Sequence, residues 1–101
     1  MIGAPRTAAS RAPRAPREPD EHDVRLRDLV VLMAKGLVDH PEDVSVEIID
    51  AGDGGELELR VHGDDMGHVI GKQGRTARSL RLALGAAAGR AGRRMDLEIA
   101  D

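Results

Sequence analysis

The segment Val69-Ile70-Gly71-Lys72-Gln73-Gly74-Arg75 is where residue types and spacing combine into chemistry. Two glycines enclosing two polar residues let the backbone turn tightly, with no Cβ to hold off an approaching anion. Lys72 adds a point charge inside the loop. Arg75, Arg78 and Arg81 follow at intervals of three, which on a helix makes a stripe. A loop that feeds a helix also presents unpaired amides and the positive end of the helix dipole. The expected ligand is a phosphate-like anion. A nucleoside-triphosphate loop would read G-x-x-x-x-G-K-[ST] after a strand; here the lysine stands between the glycines and a helix precedes them. A dinucleotide fingerprint would need a third glycine and a preceding strand.

The elements that must position this loop are legible in the hydrophobic pattern. Asp23 is placed to cap a helix on which Leu26, Leu29, Val30, Met33, Ala34, Leu37 and Val38 share a face. Asp39-His40-Pro41 should end it, because the residue before proline is driven out of the helical region. Val44, Val46 and Ile48 alternate with polar residues, as do Leu57, Leu59 and Val61, and the turn-rich run Asp50–Gly55 lies between them. That is a β-hairpin. Gly63-Asp64-Asp65 reads as a helix start with acids at the favoured end. A short helix Asp65–Ile70 then precedes the loop, and a longer one from about Arg75 to Gly89 follows it. Met95, Leu97 and Ile99 alternate into a last strand. The order α-β-β-α-α-β predicts an α+β two-layer domain over residues 24–101. Residues 1–22 read as a disordered Pro/Arg/Ala-rich tail with little to bury. A transit peptide is the other reading of that arginine-rich segment, and four prolines argue against the amphipathic helix it would need.

Charge is strongly segregated behind a net −3. Residues 20–66 carry 14 acids against four bases, whereas residues 67–95 carry seven bases and no acid. The second stretch suggests a face built for an anion. The chain has no cysteine and no aromatic residue. Disulfides, thiolate metal sites and ring-stacking platforms are thereby excluded. Apolar runs fall far short of the roughly 20 residues of a membrane span, so a soluble protein without a membrane partner is expected; a cytoplasmic location is a separate expectation.

What remains for a G-x-x-G loop is to clamp a polynucleotide backbone, the mode of KH domains. The element order resembles a type II KH domain, a three-stranded sheet packed on three helices. Asp65-Met-Gly-His-Val-Ile-Gly-Lys-Gln-Gly-Arg75 is similar to the core signature of the small bacterial KhpA (YlqC-like) RNA-binding family, and Leu29 to Pro41 resembles its opening helix. The resemblance covers about Arg25 to Ile99; the N-terminal tail and the glycines at 85 and 89 depart from it. Those glycines put the C-terminal half of the third helix in doubt, at roughly 1 kcal/mol each relative to alanine.

The resemblance implies a single-stranded RNA-binding protein acting as an RNA chaperone or post-transcriptional regulator. Gly71, Lys72, Gln73 and Gly74 would meet the sugar–phosphate backbone, Arg75 and Arg78 would add charge, and Val69 and Ile70 would floor a groove under the bases. Ile70 serves equally well as core. The family also implies pairing, as a homodimer or with a Jag/EloR-type KH protein. The competing function is a protein–protein adaptor with a KH fold and little RNA binding. No small-molecule cofactor, metal or catalytic residue is expected: Asp64, Asp65 and His68 are accounted for by helix capping and a polar contact, and no catalytic dyad assembles. Arg90, Arg93 and Arg94 read as a solvated helix end.

Overall fold

The computed structural model describes residues 18–101, so most of the segment expected to be a disordered tail lies outside the described residues. Helix α1 spans Glu21–Lys35. Its cap is Asp20, whose carboxylate accepts the Asp23 N–H at 3.0 Å while Asp23 accepts the Asp20 N–H at 2.9 Å. This reciprocal capping box satisfies two amide donors at the helix start. The cap expected at Asp23 therefore moves three residues upstream, and Glu21 and His22, read as tail, are helical. The apolar periodicity starts later than the helix because the first turn is polar. The helix also stops earlier than Pro41 requires: Gly36 closes it, and Leu37 and Val38 leave the helical path.

Strands β1 (Ser45–Asp50) and β2 (Gly55–Arg60) form the expected antiparallel hairpin, with Val46 opposite Leu59 and Ile48 opposite Leu57. Strand β3 (Met95–Ile99) runs parallel to β2 in the order β1-β2-β3, so β3 is an edge. A parallel pair cannot be joined by a tight turn. The crossover is made by helix α2 (Met66–Ile70) and helix α3 (Arg75–Arg90), which carry the glycine loop between them. Short turns of i→i+3 bonding occupy Pro41–Asp43, Gly63–Asp65 and Lys72–Gly74.

The α-β-β-α-α-β order and two-layer architecture are those expected. Helices α1 and α3 cover one face of the sheet. The core joins Leu26, Val30 and Ala34 of α1 to Leu57 and Leu59 of β2, Val69 of α2, Leu80, Leu84 and Ala88 of α3, and Met95 and Leu97 of β3. Every one of these is aliphatic or methionine. Glycines 85 and 89 do not break α3, which continues to Arg90. Their propensity cost is offset by the buried stripe Ala77, Leu80, Leu84 and Ala88, since burial rather than propensity supplies most helix stability in a folded domain.

Candidate nucleic-acid interface

Helix α2 has five residues, too few to hold itself. Asp65 anchors it. Its fully buried carboxylate accepts the Asp39 N–H, the His40 N–H and the His40 ring Nδ1, each at 3.0 Å. Burial pushes the Asp65 carboxyl up, but the donors from Asp39 and His40 outweigh it and leave it below the usual carboxylate range. His40 is raised in turn by its hydrogen bond to Asp65. Its ring stacks on His62 at 4.0 Å. The capping role expected of Asp64 and Asp65 is thus corrected. The side-chain cap here is His62, whose Nδ1 accepts the Asp64 N–H at 3.0 Å, while Asp65 turns inward to tie α2 to the α1–β1 connection.

This anchorage also brings metal-ligand types together; the local spacing of Asp64, Asp65 and His68 was legible, but the addition of Asp39, His40 and His62 was not. His40, His62 and Asp64, and separately Asp39, Asp65 and His68, each place three ligand atoms within 4.8 Å. The residues come from two chain segments, 39–40 and 62–68. Both groups are engaged in protein hydrogen bonds, and the two stacked rings lie 13° from parallel, so their in-plane lone pairs do not converge on one point.

The loop begins where Gly71 closes α2 by donating to the Gly67 carbonyl at 2.9 Å. Gly74 then donates to Gly71 at 3.1 Å, and Arg75 donates to Lys72. Gln73 (φ 57°, ψ 27°) and Gly74 (φ 74°, ψ 15°) occupy successive left-handed positions, which is the geometry of a type I′ turn. Among the described residues Gln73 is the only non-glycine with positive φ.

The two glycines have different reasons to be glycine. At Gly71 (φ 78°, ψ 171°) a Cβ would run into the Thr76 hydroxyl and lie 2.7 Å from its Cβ. At Gly74 a Cβ would meet nothing within 4 Å; the positive φ alone selects glycine, and the space above stays open. The expected array of unpaired helix-tip amides is only partly present. The Gly71 N–H bonds back to α2 and those of Gly74 and Arg75 bond within the loop, so an anion would approach the exposed residues Lys72 and Gln73.

Around this turn Lys72, Arg75, Arg78 and Arg81 are all exposed. Gly74, Arg78, Arg81 and Gly85 recur at intervals of four, three and four, placing them on one face of α3. That face borders β3, because the Arg81 Nε donates to the Leu97 carbonyl at 3.1 Å. An open furrow of about 500 Å³ runs there, lined by Arg81, Gly85, Arg94, Leu97 and Glu98 among others. Gly85, read as a weakness in the helix, leaves room in this furrow; its four-residue spacing from Arg81 was the available signal. Val69 is fully buried in the core and cannot floor a groove, which corrects that expectation, whereas Ile70 is half-buried beside the loop.

Arg93 is corrected as well. Its side chain is only 14% exposed. It grips Asp20 with two bonds (3.2 and 2.9 Å) and reaches the buried Asp23 at 2.9 Å. The Arg93 hydrogen bonds hold the Asp20 carboxyl far below its ordinary range, and Asp20 raises Arg93. Arg90 and Arg94 are exposed as expected.

Comparison with known proteins identifies the family. The family described as KhpA/KhpB, KH domain, matches residues 27–99. The chain belongs to this family. It is 53% identical over 76 residues to the RNA-binding protein KhpA of Halalkalibacterium halodurans, covering 75% of this chain and all of that one. To the RNA-binding protein KhpA of Streptomyces coelicolor it is 50% identical over 72 residues, covering 71% and 90% respectively. Among solved structures, Aquifex aeolicus Era bound to GDP·AlF4− shares the fold, with a TM-score of 0.58 and 19% identity. That likeness covers 96% of this chain and 38% of Era. The KhpA/KhpB match starts at residue 27, so the arginine-rich N-terminal segment lies outside it.

Proposed function

We propose that this chain binds single-stranded RNA, with the Gly71–Gly74 turn against the sugar–phosphate backbone and the α3–β3 furrow receiving bases. The observation that carries this reading is continuity: the open side of Gly74, the Arg78–Arg81 stripe and the furrow lie in sequence along one face of α3. The relatives named RNA-binding protein KhpA support the choice of polymer. Lys72, Arg75 and Arg78 supply charge to phosphates, and Ile70 with the α3–β3 furrow supplies apolar wall in a chain without aromatic rings. A KH-type clamp holds about four nucleotides. Such a grip suits a non-enzymatic RNA chaperone or post-transcriptional regulator of the bacterial cytoplasm.

The test replaces Lys72→Asp and Gln73→Asp together. Both side chains are exposed, and aspartate tolerates the left-handed position of Gln73, so the fold should persist. Affinity for a short single-stranded RNA should fall at least about tenfold, the scale of losing one or more phosphate contacts. Parental affinity in the variant would remove the mechanism. Binding should also weaken steeply with salt as counterions are released.

A second reading has its own observation. A largely apolar furrow of about 500 Å³ between α1 and α3 is lined by Leu32, Met33, Leu37, Leu80 and Ala83, with Leu32 70% exposed. It suits pairing with a second copy or with a Jag/EloR-type KH protein, and pairing would raise RNA affinity through effective concentration. Leu32→Glu should lower the sedimenting mass if this face carries the contact.

A further inference from the structure

The α3–β3 furrow has two chemically different walls. Its helix side carries Arg81, and its strand side carries Asp96 and Glu98, with Leu97 between them. These three charged side chains are exposed, and among the described residues Arg81 forms no ion pair with either acid. Free donors and free acceptors therefore line one furrow without satisfying each other. Arg81 is nonetheless held in place. Its Nε donates to the Leu97 carbonyl at 3.1 Å, on the free edge of β3. That commits one side of the guanidinium and leaves the Nη1–Nη2 fork without a protein acceptor among the described residues. Gly85, one turn further along α3, adds no side chain, and a Cβ there would meet nothing within 4 Å.

A phosphate is the wrong ligand for such a furrow. It offers only acceptors and negative charge, which suit Arg81 but meet Asp96 and Glu98 as like charges. A nucleobase is neutral and carries donors and acceptors on fixed edges. We propose that the furrow selects guanine, with the Arg81 fork on O6 and N7 and the Asp96–Glu98 wall accepting from N1–H and the N2 amino group. This selection rests on the RNA-binding reading above and adds to it the base that is read. An arginine fork on O6 and N7 is the commonest specific contact to guanine. Adenine sets its N6 amino group beside N7, so the fork would meet a donor. Uracil brackets its one donor between two carbonyl oxygens, which a carboxylate repels. Cytosine has its acceptors and its amino group along a single edge, whereas guanine turns acceptors to one wall and donors to the other. The consequence is a division of labour along α3: Lys72, Arg75 and Arg78 take phosphates, and Arg81 takes a base.

The test titrates the full chain with a short uridine oligomer carrying one central guanosine, adenosine or cytidine. The guanosine oligomer should bind about tenfold more tightly than the other two and than uridine alone. Replacing the guanine by 7-deazaguanine removes the N7 acceptor, and replacing it by hypoxanthine removes the N2 amino group; each should lose several-fold. Arg81→Lys keeps the charge but not the planar fork, so the ratio of guanosine to adenosine affinity should fall toward one. The double variant Asp96→Asn, Glu98→Gln should lower the same ratio while raising the affinity for uridine alone, because two negative charges leave the site. Equal binding of all four oligomers would leave RNA binding standing and overturn the selection of guanine. So would a guanine preference that survives in Arg81→Lys or is indifferent to 7-deazaguanine. Absence of binding to every oligomer would overturn the RNA-binding reading and the selection with it.

Discussion

At the start of α3, Lys72, Arg75 and Arg78 are exposed around a turn that leaves space above Gly74. Just beyond its end, Arg93 is nearly enclosed and locked to Asp20 and Asp23. Both sets belong to one acid-free stretch of the sequence, yet one faces solvent and the other joins α1 to the α3–β3 connection. The difference arises from what lies opposite in space. Arg93 meets two carboxylates brought by a helix seventy residues away in the chain, whereas the loop cations meet no carboxylate among the described residues. Cations that the fold already satisfies add little to an anion site; those left facing solvent supply its field.

The largest effect should come from breaking the enclosed end. Arg93→Ala leaves Asp23 buried with its guanidinium partner gone, and truncating one member of a buried pair costs about 3 kcal/mol. Thermal denaturation should show the loss, while RNA affinity measured well below the new midpoint stays within about twofold. A tenfold loss of affinity in the folded variant would erase the contrast between the ends.

The loop glycines sharpen the same contrast within four residues. Gly71→Ala meets Thr76 and is forced into a backbone region open essentially to glycine, so a loss of about 2–3 kcal/mol is expected from denaturant unfolding. Gly74→Ala meets nothing and should cost only the left-handed penalty of about 1 kcal/mol. Equal losses would mean that Thr76 moves away freely.

Arg78→Ala should invert the Arg93 result. Its exposed side chain predicts a stability change within about 0.5 kcal/mol. RNA affinity should drop a few-fold, with the slope of log affinity against log salt shrinking by about one contact's worth. An unchanged salt slope would take Arg78 out of the interface.

The sequence carried the element order, the hairpin, the glycine loop and the identity of most core positions, because each rests on local periodicity or on a short motif. Its errors share one physical origin. Asp65 looked like a helix cap, Arg93 like a solvated helix end, and Val69 like a groove wall; in each case a partner distant in the chain decided the outcome. Asp65 is committed to residues 39 and 40, Arg93 to residues 20 and 23, and Val69 to the aliphatic core. The type I′ turn was hidden for a different reason. Gln73 sits where asparagine or glycine is usual, so composition gave no sign that the Gly74 and Arg75 amides turn inward.

The smallest predicted effect separates fold charges from ligand charges by pH. His40 has a folded pKa raised by Asp65, so it binds more protons folded than unfolded above its ordinary value. Its contribution is complete below about pH 6.5 and is lost as pH rises through the folded value. Asp65, depressed, contributes above about pH 3.9 and loses that contribution as pH falls through its folded value. The pair is therefore fully effective between those limits, and the melting temperature should decline by a degree or so, on the order of a weak ion pair, from pH 6.5 to 8. His40→Asn should flatten that decline. The salt slope of the proposed RNA binding should stay constant across the same interval. A melting temperature indifferent to pH in the parent would mean that the His40–Asp65 bond persists with a neutral imidazole, beside the two backbone amides that Asp65 also accepts.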